Sequence, residues 1–291
     1  MALPFAIVTF IWGSTWLVIR GQLGVVPPSW SVAYRFFTAA AAMFVVALAT
    51  RTSLRLPWRD QLLLAASGVS IFCLNFNFVY RAEAHVTSGL VAVTFALLVV
   101  YNSVLGRIFL KQPLSRPFLA GSAVAIAGVA LLFRHELAAA PQGPHAVALG
   151  IGLTLTGMLF ASISNVLQAS ARVRVLPMPT LLAWSMLWGA CCDAAWAWIT
   201  TGPPRFEPTL IYVSGVLYLG LIASAVAFTL YFGMIRQIGP ARGGYVNVLT
   251  PVLAMLLSTI FERYRWSPEA AAGVLLVVIG LVIAMRARKP A

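Results

Sequence analysis

Long apolar runs alternate with short polar segments along almost the whole chain. A membrane-spanning helix needs about 20 mostly apolar residues to cross the roughly 30 Å hydrocarbon layer of a bilayer. Ten runs come close to that length, and the segments between them are short and rich in proline and glycine. We therefore predict an all-α integral membrane protein whose ten spans are Leu3–Ile19, Pro28–Ala49, Asp60–Tyr80, Val86–Arg107, Arg116–Phe133, Ala146–Ala169, Met178–Thr200, Pro208–Ile235, Ala241–Phe261 and Ser267–Met285.

The composition agrees with this pattern. Hydrophobic residues make up 61% of the chain and charged residues only 9%, with a mean hydropathy of +0.91. A soluble domain needs more polar surface than this to remain wetted. The net charge of +13 would point to nucleic acid in a soluble protein. Here the basic residues stand singly or in small groups between apolar runs, so we predict a lipid bilayer as the partner and no nucleic acid.

The basic residues also predict an orientation. Cytoplasmic loops carry an excess of Lys and Arg. With ten spans, one side receives 13 basic residues and the other receives 6, with Arg35 left inside a span. We therefore predict that both termini are cytoplasmic. The richer side holds Arg51, Arg55, Arg59, Arg107, Lys111, Arg116, Arg172, Arg174, Arg236, Arg242, Arg286, Arg288 and Lys289, and the poorer side holds Arg20, Arg81, Arg134, Arg205, Arg263 and Arg265.

An internal repeat links this architecture to function. Spans four and five match spans nine and ten at an offset of 152 residues, and a weaker match aligns Gly68 with Gly215. Five spans per repeat is an odd number, so the second repeat must enter the membrane in the opposite sense. Inverted repeats are typical of transporters with one site near the midplane. We predict two five-helix repeats, residues 1–137 and 145–289, around a central cavity. The matched glycines are Gly121 with Gly273 and Gly128 with Gly280.

Several short motifs resemble those of a known family. The chain is similar to the drug/metabolite transporter superfamily in its ten-helix EamA-type branch, and most resembles the YddG-type exporters of aromatic amino acids. Where the second half has the family's proline and glutamate, the first half has Val99 and Leu110. The motifs that carry the resemblance are Trp12-Gly13-Ser14, Pro28 followed by Arg35-Phe36, and Pro251, Glu262, Gly273 and Gly280.

The resemblance implies a basket of helices in the bacterial inner membrane. Spans one to four and six to nine would line the central cavity, and spans five and ten would support it from outside. The implied partner is a small molecule, an amino acid or a related metabolite. No cofactor and no obligate protein partner are implied, and the protein would not be an enzyme.

Polar side chains inside the spans are candidates for the cavity, because a polar group in hydrocarbon is costly unless it has a partner or faces water. Hydrogen bonds between helices are the alternative for each of them. We favour Asn75 over Asn77 for the cavity and expect Tyr80 to cap its outer vestibule. The polar candidates are Asn75, Tyr80, Tyr101, Asn165 and Asn247, together with Ser14 of the first motif.

Aromatic rings at depth are a second set of candidates. Trp12 lies near the middle of span one, and Trp184 and Trp188 are four residues apart on one face of span seven. Stacked rings could form walls for a planar aromatic solute. Ordinary packing against lipid or other helices is the alternative interpretation.

Arg35 has three possible roles. It lies about two turns into span two, where its long side chain could reach the interface. It could instead pair with Asp193 of span seven, or meet the carboxylate of a substrate. Asp193 is the only carboxylate that the prediction places inside a span, so we expect proton coupling to be weak or absent, with substrate moving down its gradient.

Other functional classes have little support. The chain lacks a phosphate-binding Gly-x-x-x-x-Gly-Lys-Ser/Thr loop and a His/Cys/Asp/Glu group with metal-ligand spacing. A channel would need a ring of polar pore residues, and an enzyme would need a catalytic group. The favoured prediction is a secondary transporter that exports amino acids, aromatic ones above all, by alternating access of a midplane cavity. An exporter of other small metabolites or drugs is the alternative.

Overall fold

The described part of the chain forms ten helices and contains no strand. The computed structural model describes residues 2–139, 143–234 and 246–286. We label the helices α1 (Ala2–Gly21), α2 (Pro28–Ala49), α3 (Trp58–Glu83), α4 (Ser88–Leu110), α5 (Arg116–Ala139), α6 (Pro144–Ala169), α7 (Met178–Thr201), α8 (Leu210–Met234), α9 (Val246–Phe261) and α10 (Pro268–Arg286).

Seven of these helices are long and apolar enough to cross a membrane. They are α1 to α6 and α8, and the described residues of α9 and α10 form shorter apolar helices. Helix α7 is 24 residues long but falls outside this set. The prediction of an all-helical membrane protein is therefore confirmed. That all ten helices cross, as two opposed repeats, stays a prediction.

The predicted boundaries differ from the observed ones at two places that matter. Helix α3 continues beyond Tyr80 to Glu83, which the sequence assigned to an outer connection. The helix goes on because Arg81, Ala82 and Glu83 all favour helical backbone. The second difference is at α5, which continues beyond the predicted end at Phe133 to Ala139. The predicted start of span nine at Ala241 and the predicted end of span eight at Ile235 lie outside the described residues.

Two helices contain a widened turn. Helix α3 has a π-helical segment at Val69–Asn75, and α8 has one at Tyr218–Val226. Such turns are uncommon and are often found at functional sites. A third irregularity interrupts α4 at Ala96 and Leu97. All three irregular segments contribute residues to the cavity or lie directly beside it.

Helices α5 and α10 pack with almost no side chain between them. A Cβ atom on Gly121 would lie 2.5 Å from the Gly280 carbonyl oxygen, and one on Gly128 would lie 2.6 Å from that of Gly273. Only glycine allows this approach, and small residues are what lets helices associate closely in lipid. The four glycines that the sequence repeat matched are therefore packing positions.

A second pair of glycines makes matching contacts in the two halves. A Cβ on Gly68 of α3 would lie 2.0 Å from the Ser185 carbonyl oxygen of α7. One on Gly220 of α8 would lie 2.9 Å from the Arg35 carbonyl oxygen of α2. Gly68 and Gly220 are 152 residues apart, the same offset as the other glycine pairs. These contacts favour Gly220, and not Gly215, as the counterpart of Gly68.

Large apolar side chains are exposed on the outside of the helix assembly. Ile199, Leu210 and Ile211 are 83%, 84% and 78% exposed. Lipid is as apolar as these side chains, so this exposure carries no penalty in a bilayer. The interior combines buried apolar residues with buried serine, threonine and asparagine, and with the ionisable residues Arg35, Glu83 and Asp193.

Candidate functional site: an aromatic cavity with unpaired polar groups

A cavity lies between helices of both halves of the chain. About 800 Å³ within it is free of protein atoms, part of it open to the outside. Its wall draws on α1, α2, α3, α4, α6, α8 and α9. Helices α5 and α10, which pack on each other, do not contribute.

Aromatic rings form much of the wall. The Trp12 ring centroid lies 4.7 Å from that of Tyr231 and 5.3 Å from that of Phe228. One helical turn along α1, Trp16 faces Phe95 at 5.4 Å. These tilted and edge-on arrangements are the favourable ones for aromatic pairs. The cavity is therefore bounded by rings from α1, α4 and α8.

Arg35 of α2 supplies a positive charge to the wall. The residue is 1% exposed, and its Nε donates to Ser224 Oγ at 2.9 Å. Its guanidinium carbon lies 4.3 Å from the Phe76 ring centroid, within cation–π range. The Nη1 atom is buried and has no hydrogen-bond partner among the described residues.

Three more polar atoms of the wall lack partners in the described part of the chain. They are Trp16 Nε1, Asn75 Oδ1 and Thr250 Oγ1. Buried polar groups in folded proteins nearly always have a partner, and an unpaired one costs roughly 1–3 kcal/mol. Together with Arg35 Nη1, the wall residues carry two N–H donors, an amide oxygen and a hydroxyl that lack partners among the described residues. This combination suits a solute that carries both charged and polar groups.

The structure places four of the sequence candidates on the cavity wall. These are Trp12, Arg35, Asn75 and Asn165. Asn165 also donates through Nδ2 to Asn102 Oδ1 at 3.1 Å, which joins α6 to α4. Asn75 is 3% exposed and Arg35 is 1% exposed, so both face the cavity from a buried position.

Other candidates lie away from the wall. Ser14 Oγ bonds the Tyr218 hydroxyl at 2.7 Å, and the Tyr80 hydroxyl donates to Gln22 Oε1 at 3.0 Å. Tyr101 is half-buried and is not among the residues that line the cavity. Tyr80 is fully buried, so it is not an exposed cap of a vestibule. The side chain of Asn247 lies outside the described residues.

The proposed stacking wall on α7 is not formed. Trp184 Nε1 donates to the Leu54 carbonyl oxygen at 3.0 Å, and its ring meets Phe44 edge-on. Trp188 Nε1 donates to Gln61 Oε1 at 3.1 Å. These bonds attach α7 to the α2–α3 connection and to the start of α3. The four-residue spacing correctly put both rings on one side of α7, but it did not show which neighbour that side faces.

Two of the three roles considered for Arg35 are wrong. It does not reach the interface, because it is buried at the cavity. It does not pair with Asp193, whose Oδ1 accepts from Asn77 Nδ2 at 2.5 Å. Asn77 Oδ1 in turn accepts from Arg81 Nη1 and from Ser29 Oγ. Asn77 is therefore a structural connector between α2, α3 and α7, in line with the choice of Asn75 for the cavity.

The sequence analysis missed several wall residues. Trp16, Phe76, Phe95, Phe228 and Tyr231 were not selected. Trp16 carried a usable signal, since it lies one turn from Trp12 on α1. The other four are phenylalanine and tyrosine residues in aromatic-rich spans, and nothing in their spacing separates a cavity face from a lipid face. Within the described residues no group of His, Cys, Asp or Glu could hold a metal ion.

The fold and the cavity define a multi-pass membrane protein with a small-molecule site between its helices. The EamA-like transporter family model matches residues 1–134 and 148–286, and the chain belongs to this family. The family's proteins are transporters, which agrees with the prediction that the chain is not an enzyme.

Relatives cover nearly the whole chain at low identity. Protein PagO of Salmonella typhimurium is 24% identical, over 99% of this chain and 93% of its own length. A probable amino-acid metabolite efflux pump of Salmonella typhimurium is 25% identical, over 95% and 92%. The uncharacterized inner membrane transporter YedA of Escherichia coli K12 is 27% identical, over 94% and 87%. A crystal structure at 22% identity shares the fold, with a TM-score of 0.73 over 99% of this chain and 98% of its own.

Proposed function

We propose that this protein is a secondary transporter of the bacterial inner membrane that exports amino acids, aromatic ones above all, by alternating access of the central cavity. The observation that carries the proposal is the buried guanidinium of Arg35, which faces an aromatic cavity with Nη1 unpaired. A relative named as a probable amino-acid metabolite efflux pump gives independent support.

A carboxylate is the group best suited to pair with the guanidinium of Arg35. A buried cation without an anionic partner is costly, and Arg pairs with carboxylates through two parallel hydrogen bonds. Within the described residues no carboxylate forms a salt bridge with Arg35. The carboxylate of an amino acid would therefore gain a charge-assisted bond at Nη1, and Ser224 would keep the guanidinium oriented through Nε.

The remaining parts of an amino acid also have counterparts on the wall. Asn75 Oδ1 and Thr250 Oγ1 are unpaired acceptors for an ammonium group. The rings of Trp12, Phe95 and Phe228 suit an aromatic side chain, and each aromatic pair adds roughly 0.5–1.5 kcal/mol beyond burial. The indole N–H of Trp16 is a further free donor.

Two opposed five-helix repeats would give this cavity its alternating access. Three observations support the repeats: the family match falls in two segments, both halves have a π-helical segment in their third helix, and the glycine contacts recur at one offset. Lys111 and Arg263, also 152 residues apart, both adopt left-handed backbone after α4 and α9. The charge distribution favours cytoplasmic termini.

The test compares tryptophan with tryptamine, which lacks the carboxylate. Purified protein in liposomes should show saturable uptake and counterflow of labelled tryptophan and discriminate against tryptamine. Arg35→Gln should lower tryptophan transport by roughly 10- to 100-fold, the loss expected for a charge-assisted hydrogen bond of about 1.5–3 kcal/mol. The same variant should leave tryptamine transport nearly unchanged.

The matched controls are Arg35→Lys, which keeps the charge, and Arg134→Gln, which removes an exposed arginine. Equal losses for tryptophan and tryptamine in Arg35→Gln would contradict a carboxylate contact. A panel that includes threonine, a nucleobase and a cationic drug decides between aromatic amino acids and the alternative cargo. Flux without saturation would indicate a channel, and a chemically changed product an enzyme.

A further inference from the structure

Glu83 is a fully buried carboxylate that the proposed substrate site does not use. It is the last residue of α3 and is 0% exposed. Neither Oε1 nor Oε2 has a hydrogen-bond partner among the described residues. An ionised carboxylate in such a place is expensive, and an ionisable residue at membrane depth is a functional candidate by default.

A second carboxylate at the same end of the helices is fully bonded. Glu262 follows α9 and accepts from the Ser88 backbone N–H at 3.2 Å and from the hydroxyls of Ser88 and Ser258 at 2.7 and 2.5 Å. It thereby caps the N-terminus of α4, where a negative charge is favourable. Arg20 Nε of α1 lies 3.8 Å from Glu262 Oε1.

These bonds hold α1, α4 and α9 together beyond the cavity. The packing there is tight, since a Cβ on Gly89 of α4 would lie 2.6 Å from Met255 Sδ of α9. The proposed topology places this contact at the outer face. We call the Arg20–Glu262–Ser88 contact the outer closure. In that topology, a substrate leaving the cavity outward would pass between these helices.

The charged groups around Glu83 come from several elements. Arg20 of α1 reaches this region, since its Nη1 donates to the carbonyl oxygen of Val86, three residues after Glu83, at 3.5 Å. Glu262, Arg20 and Arg35 of α2 are the charges that act on Glu83, and the titratable Tyr80 lies one turn earlier on α3. On its own helix, Arg81 is occupied by Asn77 and Ser29, and on the following loop the Cβ of His85 faces Gly150 of α6. Glu83 and Glu262 therefore share the influence of Arg20, but only Glu262 has hydrogen-bond donors.

We propose that Glu83 is a proton-binding site that couples export to proton influx. The proposal depends on the transport function proposed above. In the closed arrangement Glu83 carries a proton, so it does not compete for Arg20, and the outer closure is intact. When Glu83 is ionised, it draws Arg20 away from Glu262 and weakens the contact between α1 and α9.

The proton balance of one cycle is simple. With the cavity open to the outside, the ionised Glu83 takes a proton from external water, forming an O–H bond as the substrate leaves, and the outer closure re-forms. After substrate has entered the cavity from the cytoplasm, that O–H bond breaks, the proton passes to internal water, and the ionised Glu83 weakens the outer closure so that the cavity opens outward. One proton moves inward for each substrate molecule exported. The sequence-based expectation of weak coupling assumed that Asp193 was the only carboxylate in a span, and the position of Glu83 removes that assumption.

The experiment imposes a pH gradient on reconstituted liposomes and measures accumulation of a substrate that already shows counterflow. With one proton per substrate, one pH unit of gradient, acidic inside, should support up to about tenfold accumulation by the wild type. Glu83→Gln should show no accumulation above the external concentration, while retaining measurable exchange of labelled for unlabelled substrate. Glu269→Gln, which removes an exposed carboxylate, should accumulate like the wild type.

Each outcome decides the matter. If the wild type shows exchange but no response to the pH gradient, or responds to a sodium gradient instead, the proton site is wrong even if Glu83→Gln fails to fold. If Glu83→Gln still accumulates substrate while Asp193→Asn does not, the site is Asp193. If the wild type shows no exchange with any compound of the panel, the transport proposal itself fails.

Discussion

Buried charge is the dominant feature at the scale of single residues. Arg35, Glu83 and Asp193 are all within 1% of full burial, and each has at least one polar atom without a partner. Their surroundings differ. Arg35 faces the cavity, Glu83 lies three residues before Val86, whose carbonyl oxygen accepts from Arg20, and Asp193 is held in a hydrogen-bond network. We therefore propose that Arg35 binds the substrate, that Glu83 binds the coupling proton and that Asp193 stabilises the fold.

The Asn77–Asp193 bond predicts a measurable loss of stability. Asn77→Ala should lower the free energy of unfolding by about 2 kcal/mol, because it removes a hydrogen bond to a buried acidic group. In detergent this should appear as a fall of roughly 5 °C in the melting temperature. Thr156→Ala, which loses only a bond within α6 on its exposed side, is the control.

The same bond can be tested for pairwise coupling. If the bond carries the effect, Asn77→Ala should cost less stability when Asp193 is already replaced by Ala than in the wild type. Independent, additive losses in the double-mutant cycle would show that Asn77 acts through Ser29 and Arg81 alone.

The cavity aromatics predict a change in selectivity. Phe228 contacts Trp12 on one side and Phe72 on the other, and it lines the cavity. Phe228→Leu should lower transport of tryptophan relative to threonine by about 2- to 10-fold, the equivalent of one ring pair. The measurement is the ratio of uptake rates in liposomes. Phe206→Leu, at an exposed phenylalanine that does not line the cavity, should leave the ratio unchanged.

At the scale of elements, the sequence predicted the helices better than their faces. Apolar runs located the helices, since a span has to be long and apolar, and the largest difference is the end of α5, at Ala139 instead of Phe133. The π-helical segments were not predicted, because a widened turn depends on packing against neighbours and leaves no pattern in the sequence. Asn75 lies in one of them. The faces of α7 that carry Trp184 and Trp188 could not be assigned for the same reason.

The α5–α10 contact predicts that glycine is required there. Gly128→Leu should force the two backbones apart, since even a Cβ would lie 2.6 Å from the Gly273 carbonyl oxygen. We expect a loss of at least about 1–3 kcal/mol, measured as a lower melting temperature and a smaller monodisperse fraction in detergent. Gly152→Leu is the matched control, because a Cβ on Gly152 of α6 meets nothing within 4 Å. Equal stability of the two variants would contradict the contact.

At the scale of the whole molecule, one glycine contact occurs in each half of the chain with the partner helices exchanged. Gly68 of α3 meets α7, and Gly220 of α8 meets α2. This exchange is what a twofold relation between opposed repeats would produce. It would also make an inward-open state and an outward-open state related arrangements of the same helices.

Opposed repeats predict the same location for both ends of the chain. A cysteine added before Met1 or after Ala291, in a variant without Cys73, Cys191 and Cys192, should be labelled by a membrane-impermeant thiol reagent only after the cells are opened. A cysteine in place of Glu207, in the connection before α8, should be labelled on intact cells whose outer membrane is permeabilised. Labelling of one terminus on intact cells would refute the ten-span topology.

The sequence by itself determined the class of protein. The length of an apolar segment and the distribution of basic residues between segments can be counted along the chain, and both are set by the need to cross a bilayer. The sequence also identified Trp12, Arg35, Asn75 and Asn165 as candidates, since polar or aromatic groups at depth are unusual in any span. The tertiary structure alone decided which groups are paired. A hydrogen bond or a cavity joins residues far apart in the chain, as Arg35 and Ser224 are, and such contacts depend on how helices rotate and pack. For this reason Asp193 proved to be bonded to Asn77, whereas neither carboxylate oxygen of Glu83 has a hydrogen-bond partner among the described residues.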